Sequence, residues 1–271
     1  MRNAARLAVP AVTPLRSQGA VLLHGIGRTH SWMRKLEKTL QRQGFATLNL
    51  GYASRKKPLE LLATDIDGPI TQFAGEIDGP LHFVGHSMGG LLARVYIAKY
   101  RPQRLGRVVM LGTPNGGSEI ADLLHDLALY RFYYGPAGQQ LTTTLDSALT
   151  SLPALDYDVG VIAGSRSIAP IASLFKMPKP NDTMVSVKSS RLDGMADHVV
   201  VKASHAGLPY HAKAIEQTIA FLREGRFKLS GTPIAAQKTM SPEVRDGATR
   251  RNHIAPVASS VNDIETKLTR M

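Results

Sequence analysis

Residues 81–92 read LHFVGHSMGGLL and contain the strongest structural signal in the sequence. The stretch begins as a short apolar run typical of a buried strand and ends in an apolar segment typical of a helix. Between the two lies Ser87, flanked by Gly85 and Gly89 in the pattern GxSxG. A strand-to-helix reversal in so few residues crowds the backbone, and glycine avoids the clash. The pattern predicts a sharp turn that lifts the Ser87 hydroxyl above the end of the strand.

On both sides of this stretch, between residues 19 and 227, short apolar runs alternate with amphipathic segments. This alternation predicts an α/β fold with a mostly parallel central sheet and helices on both faces. The predicted strands cover residues 20–24, 45–50, 81–85, 107–111, 159–164 and 198–201. The predicted helices cover the face from Trp32 to Leu40, the face from Leu59 to Phe73, residues 89–99 and residues 214–222.

Three segments depart from the alternating pattern. Residues 1–18 contain three arginines and no acid, and prolines interrupt their apolar run, so we expect a flexible leader that lacks an export signal, and a cytoplasmic protein. Residues 115–157 form an apolar, aromatic insert that is too long for an ordinary loop, which favours a small helical cap. Residues 228–271 contain no aromatic residue and are rich in charge, and we expect a disordered basic tail.

Composition excludes several classes of function. The net charge is +12, but half of this excess lies in the two terminal segments, and no aromatic-studded basic stripe accompanies it. We therefore expect no nucleic-acid partner, while allowing transient contact with a membrane surface. The chain has no cysteine, which excludes disulfides and thiolate nucleophiles, and His82 and His86 straddle the predicted turn in a way that disfavours a metal site. We expect neither metal nor cofactor.

A serine at this turn is placed to act as a nucleophile, although the serine cap of an ordinary helix is the alternative. A nucleophilic serine needs a base, and in this type of fold the chain order is serine, acid, histidine. The late histidines are His198, His205 and His211. We favour His205, because the loop after the last predicted strand can carry its imidazole over the carboxyl edge of the sheet. His211 is the second choice.

The third member is a carboxylate that fixes the imidazole tautomer. We prefer Asp182, because it follows the penultimate predicted strand; Asp193 and Asp197 are its rivals, and a turn aspartate is the alternative role. A tetrahedral intermediate also needs amide donors. We expect these from Met88, directly after the serine, and from Ile26, which lies between two glycines after the first strand.

These residues belong to motifs that carry a family resemblance. The segments LLHGIGR, VGHSMGGLLAR, MLGTPNGGSEIADLL, PNDTMVSVKSSRLDGMADH and AFLREGRF resemble α/β-hydrolases of the lipase and esterase type, nearest to the bacterial PGAP1-like or triacylglycerol-lipase-like hydrolases. The resemblance spans about residues 19–227. It implies Ser87 as nucleophile, Asp182 as acid, His205 as base, and Ile26 and Met88 as oxyanion donors. It also implies that GTPNGGS lies beside the active site and that the insert forms a cap. Thr183 stands where such enzymes commonly have glycine.

The sequence thus predicts a carboxylic-ester hydrolase that acts on a small lipid-like or acyl ester through an acyl-enzyme. We assign substrate binding to His86 and to the apolar residues of the cap, Leu129, Tyr130, Phe132 and Tyr133. An acyltransferase or thioesterase would use the same machinery, and a binding protein could retain the fold without catalysis. The sequence does not distinguish these alternatives, nor does it indicate an oligomeric state.

Overall fold

A parallel sheet organises the protein, for which a computed structural model describes residues 18–117, 135–141, 152–168 and 177–228. Six strands lie in this part of the chain: β1 (Gly19–Leu23), β2 (Ala46–Leu50), β3 (Leu81–His86), β4 (Leu105–Leu111), β5 (Val159–Gly164) and β6 (Asp197–Val201). They form one sheet in the order β2-β1-β3-β4-β5-β6, and every neighbouring pair is parallel.

Helices connect the strands and cover both faces of the sheet. They are α1 (Arg34–Arg42), α2 (Leu59–Gly75), α3 (Met88–Tyr100) and α4 (Ala212–Glu224), with 3₁₀ turns at His30–Met33 and His205–Tyr210. Parallel strands require such crossovers, because the chain must return to the same end of the sheet before each new strand.

The central strands β1 and β5 are continuously apolar because both of their faces are buried. In β1, Val21 and Leu23 pack into a core with α2 and α3, whereas Ala20 and Leu22 pack into a second core with α1 and α4. All four side chains are fully buried. This alternation follows from the two-residue period of a strand, and it explains why these strands lack the polar–apolar pattern of a sheet with one wet face.

The predicted fold class is confirmed, with small shifts at the ends of the elements. Strand β5 matches the predicted residues 159–164, whereas β4 begins at Leu105, two residues before the predicted start. Leu105 pairs with Leu81, and the register of the two strands shifts after this pair. Because the register shift separates the Leu105–Leu81 pair from the rest of the strand, the apolar run in the sequence does not show where β4 begins.

Several predictions concern residues that lie outside the described part of the chain. These are residues 1–17 of the leader, residues 229–271 of the tail, and most of the predicted cap, including all four of its substrate-binding candidates. Among the helices that the structure describes, none combines the length and apolar character needed to cross a bilayer.

The topology sets the position of the functional loops. From β1 the chain crosses to β2 on one side, and β3 then pairs with β1 on the other side. The loops after β1 and β3 therefore diverge at the carboxyl edge and leave a crevice between them. In open parallel sheets this reversal of strand order is where ligands bind.

A buried histidine makes the stability of this sheet depend on pH. His82 lies on β3, where its Nδ1 accepts the Arg107 amide at 2.8 Å and its Nε2 lies 3.3 Å from Gln18 Oε1. Burial, reinforced by the Arg107 charge, lowers its pKa to about 4 from 6.5. The unfolded chain therefore takes up this proton at a higher pH than the folded protein.

We predict that the free energy of unfolding falls as the pH drops from 6.5 towards 4, with His82 contributing up to about 3 kcal/mol of the loss. His82→Asn keeps an acceptor at the Nδ1 position and does not titrate, so it should flatten this dependence in urea unfolding curves. The exposed His30→Asn is the control. Parallel pH profiles for the wild-type and His82→Asn proteins would contradict the assignment.

Candidate active site

The turn between β3 and α3 holds Ser87 in a strained conformation. Its φ of 55° and ψ of −126° place a non-glycine residue at positive φ. Such conformations cost about 1–3 kcal/mol and persist only where the surroundings enforce them. This backbone conformation turns Ser87 out of the direction of the strand at the carboxyl edge of the sheet.

Close backbone packing explains the two glycines of the GxSxG pattern. A methyl group on Gly89 would lie 2.2 Å from the Leu23 carbonyl oxygen, and one on Gly85 would lie 2.4 Å from the Gly90 amide nitrogen. Both contacts are with backbone, which cannot move aside. The first residues of α3 are thus pressed against the end of β1.

Hydrogen bonds hold the peptide groups of Ser87 in place. Its amide donates to the Leu111 carbonyl at 2.8 Å, and its carbonyl accepts from the Gly90 amide and from the Thr113 hydroxyl, each at 3.0 Å. Thr113 is fully buried and was not among the predicted site residues. Its signals in the sequence are its position two residues after the apolar strand β4 and its place in GTPNGGS, the stretch that the resemblance puts beside the active site.

The imidazole of His205 reaches Ser87. His205 is the first residue of the 3₁₀ turn that follows β6, and its Nε2 lies 3.0 Å from Ser87 Oγ. Its side chain is 14% exposed, so the ring is shielded but not sealed from the surface.

Asp182 holds the other side of the imidazole. Its Oδ2 accepts from His205 Nδ1 at 2.9 Å, while its Oδ1 accepts the amides of Met184 and Val185 at 3.0 and 2.8 Å. The carboxyl group is 1% exposed. The His205 amide also donates to the Asp182 carbonyl at 3.0 Å. A carboxylate only accepts, so Nδ1 carries the proton and Nε2 is free to accept from the serine hydroxyl.

The residue after the acid adopts the conformation that favours glycine. Thr183 has a φ of 96°, which is strained for a side chain with a branched Cβ. Two hydrogen bonds hold it: its amide donates to Asn181 Oδ1 at 3.1 Å, and its hydroxyl accepts the Ile168 amide at 2.7 Å. The threonine therefore retains the glycine-like turn and gains a link to the loop after β5.

Met88 and Ile26 belong to the two backbone segments that lie against each other at Ser87. Met88 is the first residue of α3, where amides lack partners within the helix and the helix dipole favours negative charge. The loop after β1 abuts this turn, because a methyl group on Gly25 would lie 3.2 Å from Ser87 Cβ. In the described part of the chain, no acceptor takes the amide of Ile26, the next residue.

A buried histidine and a tyrosine fix the loop that carries Ile26. His24 Nδ1 donates to the Gly25 carbonyl at 2.8 Å, and the ring stacks on Tyr52 with a centroid distance of 4.1 Å. The Tyr52 hydroxyl donates to the His24 carbonyl. Burial lowers the pKa of His24, which favours the neutral ring that this bonding pattern requires.

His86 lies behind the three residues rather than at the surface of the crevice. It is 2% exposed, and its Nε2 donates to the His205 carbonyl at 3.0 Å. Its Nδ1 is buried with no partner among the described residues. Burial and the neighbouring His205 ring, 5.0 Å away, lower its pKa well below 6.5. Its side chain therefore supports the His205 backbone.

The rival candidates contact neither Ser87 nor His205 in the described part of the chain. His198 Nε2 lies 3.2 Å from the Ser190 hydroxyl, and His211 precedes α4. Asp197 accepts the amides of His198 and Phe227, and Asp193 is exposed on a loop. Within the described ranges, no group of three or more His, Cys, Asp or Glu side chains could hold a metal ion.

Comparison with known sequences points in the same direction as the geometry. A model of the family described as alpha/beta hydrolase fold matches residues 21–154. A triacylglycerol lipase of Pseudarthrobacter phenanthrenivorans is 45% identical over 47 residues, which span 17% of this chain and 14% of the lipase. The matching segment is therefore only a small part of that lipase.

Solved structures extend the likeness over most of the chain. The mature lipase of Bacillus licheniformis is 20% identical, with a TM-score of 0.60 over 79% of this chain and 94% of that one. A metagenomic carboxyl esterase is 18% identical, with a TM-score of 0.58 over 74% of this chain and 68% of that one. At such identities the likeness shows a shared fold.

We predict that Gly89→Ala lowers the free energy of unfolding by at least about 3 kcal/mol, because its methyl group collides with the Leu23 carbonyl. Gly75→Ala is the matched control: it lies at the exposed end of α2, where an added methyl group meets no atom within 4 Å. That variant should be neutral or slightly stabilising. Equal stability of the two variants in denaturant unfolding would contradict the packing of the turn.

Proposed function

We propose that this chain, whose residues 21–154 match the family described as alpha/beta hydrolase fold, is a serine hydrolase that cleaves carboxylic esters through an acyl-enzyme. The continuous hydrogen-bonded path from Ser87 Oγ through the His205 ring to Asp182 is the observation that carries the proposal. A serine that merely capped a helix would need no imidazole at 3.0 Å.

In the proposed acylation, Ser87 Oγ attacks the carbonyl carbon of the ester while its proton passes to His205 Nε2. The carbon–oxygen bond to the leaving group then breaks, and the protonated imidazole gives its proton to the departing alkoxide. Asp182 stabilises the imidazolium without taking its proton. Its two bonds from backbone amides hold the carboxylate in the orientation that this role requires.

The amides of Ile26 and Met88 are proposed to bind the negative oxygen of each tetrahedral intermediate. They lie on the two loops that meet beside Ser87, and the helix dipole of α3 adds to the field. One such donor contributes about 10²- to 10³-fold in rate in enzymes of this chemistry.

Deacylation reverses the roles. His205 takes a proton from a water molecule, which attacks the acyl carbon, and the protonated ring then returns the proton to Ser87 Oγ as the acid leaves. The enzyme is restored, and the net reaction consumes one ester and one water.

We propose a lipid-like or acyl ester as the substrate. The support is the apolar and aromatic composition of the insert, with Leu129, Tyr130, Phe132 and Tyr133 as the residues that would bury an acyl chain. The triacylglycerol lipase and the carboxyl esterase, which resemble parts of this chain, are named for acyl esters. The sheet and the hydrogen-bonded triad do not set the acyl length.

We predict hydrolysis of p-nitrophenyl esters that Ser87→Ala reduces by about 10⁶-fold and Asp182→Asn reduces by about 10⁴-fold, because the amide favours the wrong imidazole tautomer. Asp193→Asn is the control, since this exposed rival acid contacts none of the three residues. Activity that survives in Ser87→Ala, or a loss at Asp193 equal to that at Asp182, would refute the assignment.

His86 is proposed as a positioning residue that acts through His205. Its bond to the His205 carbonyl and the Asp182 bond to the His205 amide hold the backbone of the base from two sides. His86→Phe retains the ring volume and removes the donor. We predict that kcat falls about 10- to 100-fold, with KM unchanged because the ring is buried away from the substrate.

His86→Gln should restore most of the lost rate, because its amide nitrogen occupies the place of Nε2. Rates must be expressed per active site titrated with an ester that acylates the enzyme rapidly and deacylates slowly, so that loss of folded enzyme is not counted. A fall in the number of titrated sites with normal kcat in His86→Phe, or no recovery in His86→Gln, would show that the residue acts only in packing.

A further inference from the structure

A buried arginine on α3 lacks a counter-ion. Arg94 lies two turns after Ser87, and the whole residue is 8% exposed. Its Nε is buried without a hydrogen-bond partner, and no ion pair or hydrogen bond joins its guanidinium to any residue in the described part of the chain.

A buried guanidinium without a partner is unfavourable. The group does not lose its proton in proteins, even though burial lowers the pKa of Arg94 below its ordinary value. Buried arginines are almost always paired, because an uncompensated buried charge destabilises the fold. The nearest acid in the segment that covers α3, Asp156, is exposed and bonded to Arg101.

Arg94 lines a small cavity between α3 and residues 152–157. Water-sized groups can occupy about 30 Å³ of this cavity, which is room for about two of them. Tyr157 lines the same space, and burial raises the pKa of its hydroxyl, so this group remains a donor at neutral pH. The lining also includes Asp156 and Arg101, which are paired with each other, and its other residues are apolar.

We propose that this cavity is a binding site for one small monovalent anion, such as chloride, held between the Arg94 guanidinium and the Tyr157 hydroxyl. The size of the cavity excludes large organic anions. A bound anion would join α3 to the segment that leads into β5, and would thereby link the helix behind Ser87 to the end of the insert. The proposal does not depend on the esterase assignment.

Stability measured in two sodium salts tests the site. Urea unfolding is followed in sodium chloride and in sodium gluconate at the same ionic strength. Chloride should stabilise the wild-type protein more than gluconate, although well-hydrated anions usually stabilise proteins more than chloride does. At a chloride concentration ten times the dissociation constant, the ratio of folded to unfolded protein should rise about tenfold.

Three variants assign the effect to the cavity. Arg94→Met should abolish the advantage of chloride. Tyr157→Phe, which retains the ring, should weaken this advantage, and it provides the test if Arg94→Met does not fold. Arg226→Met removes an arginine whose side chain is 79% exposed, and should leave the advantage intact.

Crystals grown in sodium bromide provide a direct test. An anomalous bromide peak beside Arg94 and Tyr157 would support the proposal. Equal stability in chloride and gluconate, or a bromide-free cavity in those crystals, would overturn it and show that water or the chain itself compensates the guanidinium.

Discussion

The positive φ of Ser87 is the constraint on which the rest of the site depends. This conformation exists because the peptide before the serine is tied to β4, the peptide after it is tied to Thr113, and Gly89 lets α3 pack against the end of β1. If any of these contacts relaxed, the hydroxyl would rotate away from the imidazole. The sheet thus does more than support the loops, since it holds one residue in a conformation that the chain alone disfavours.

A layer of buried polar groups transmits this constraint to the other loops. His24 and Tyr52 fix the loop that carries Ile26, while His86 and Asp182 fix the backbone of His205. Burial favours the neutral form of His24 and His86, so neither ring adds a positive charge beside Ser87. The geometry is therefore set before a substrate arrives, which is the condition under which fixed dipoles accelerate a reaction most.

Local patterns in the sequence predicted the fold and singled out Ser87, Asp182 and His205, which the folded chain brings together. The central strands were recognisable because a doubly buried strand is a continuous apolar run, and Ser87 because its glycines mark a sharp strand-to-helix turn, whereas the contact of Gly89 with Leu23 was visible only in the fold. The roles of Thr113, His86 and Arg94 could not be foreseen in this way. His86 contacts a residue 119 positions away, so only the folded sheet reveals the pairing. Thr183 was a visible departure, but the two hydrogen bonds that retain its turn were not.

The central claim is that Ser87 alone is activated by the His205 imidazole, and mass spectrometry of the protein treated with a fluorophosphonate tests this most directly. We expect one adduct per chain, located on the peptide that contains Ser87 and lost when His205 is replaced by alanine. An unmodified protein, or an adduct on another serine, would contradict it.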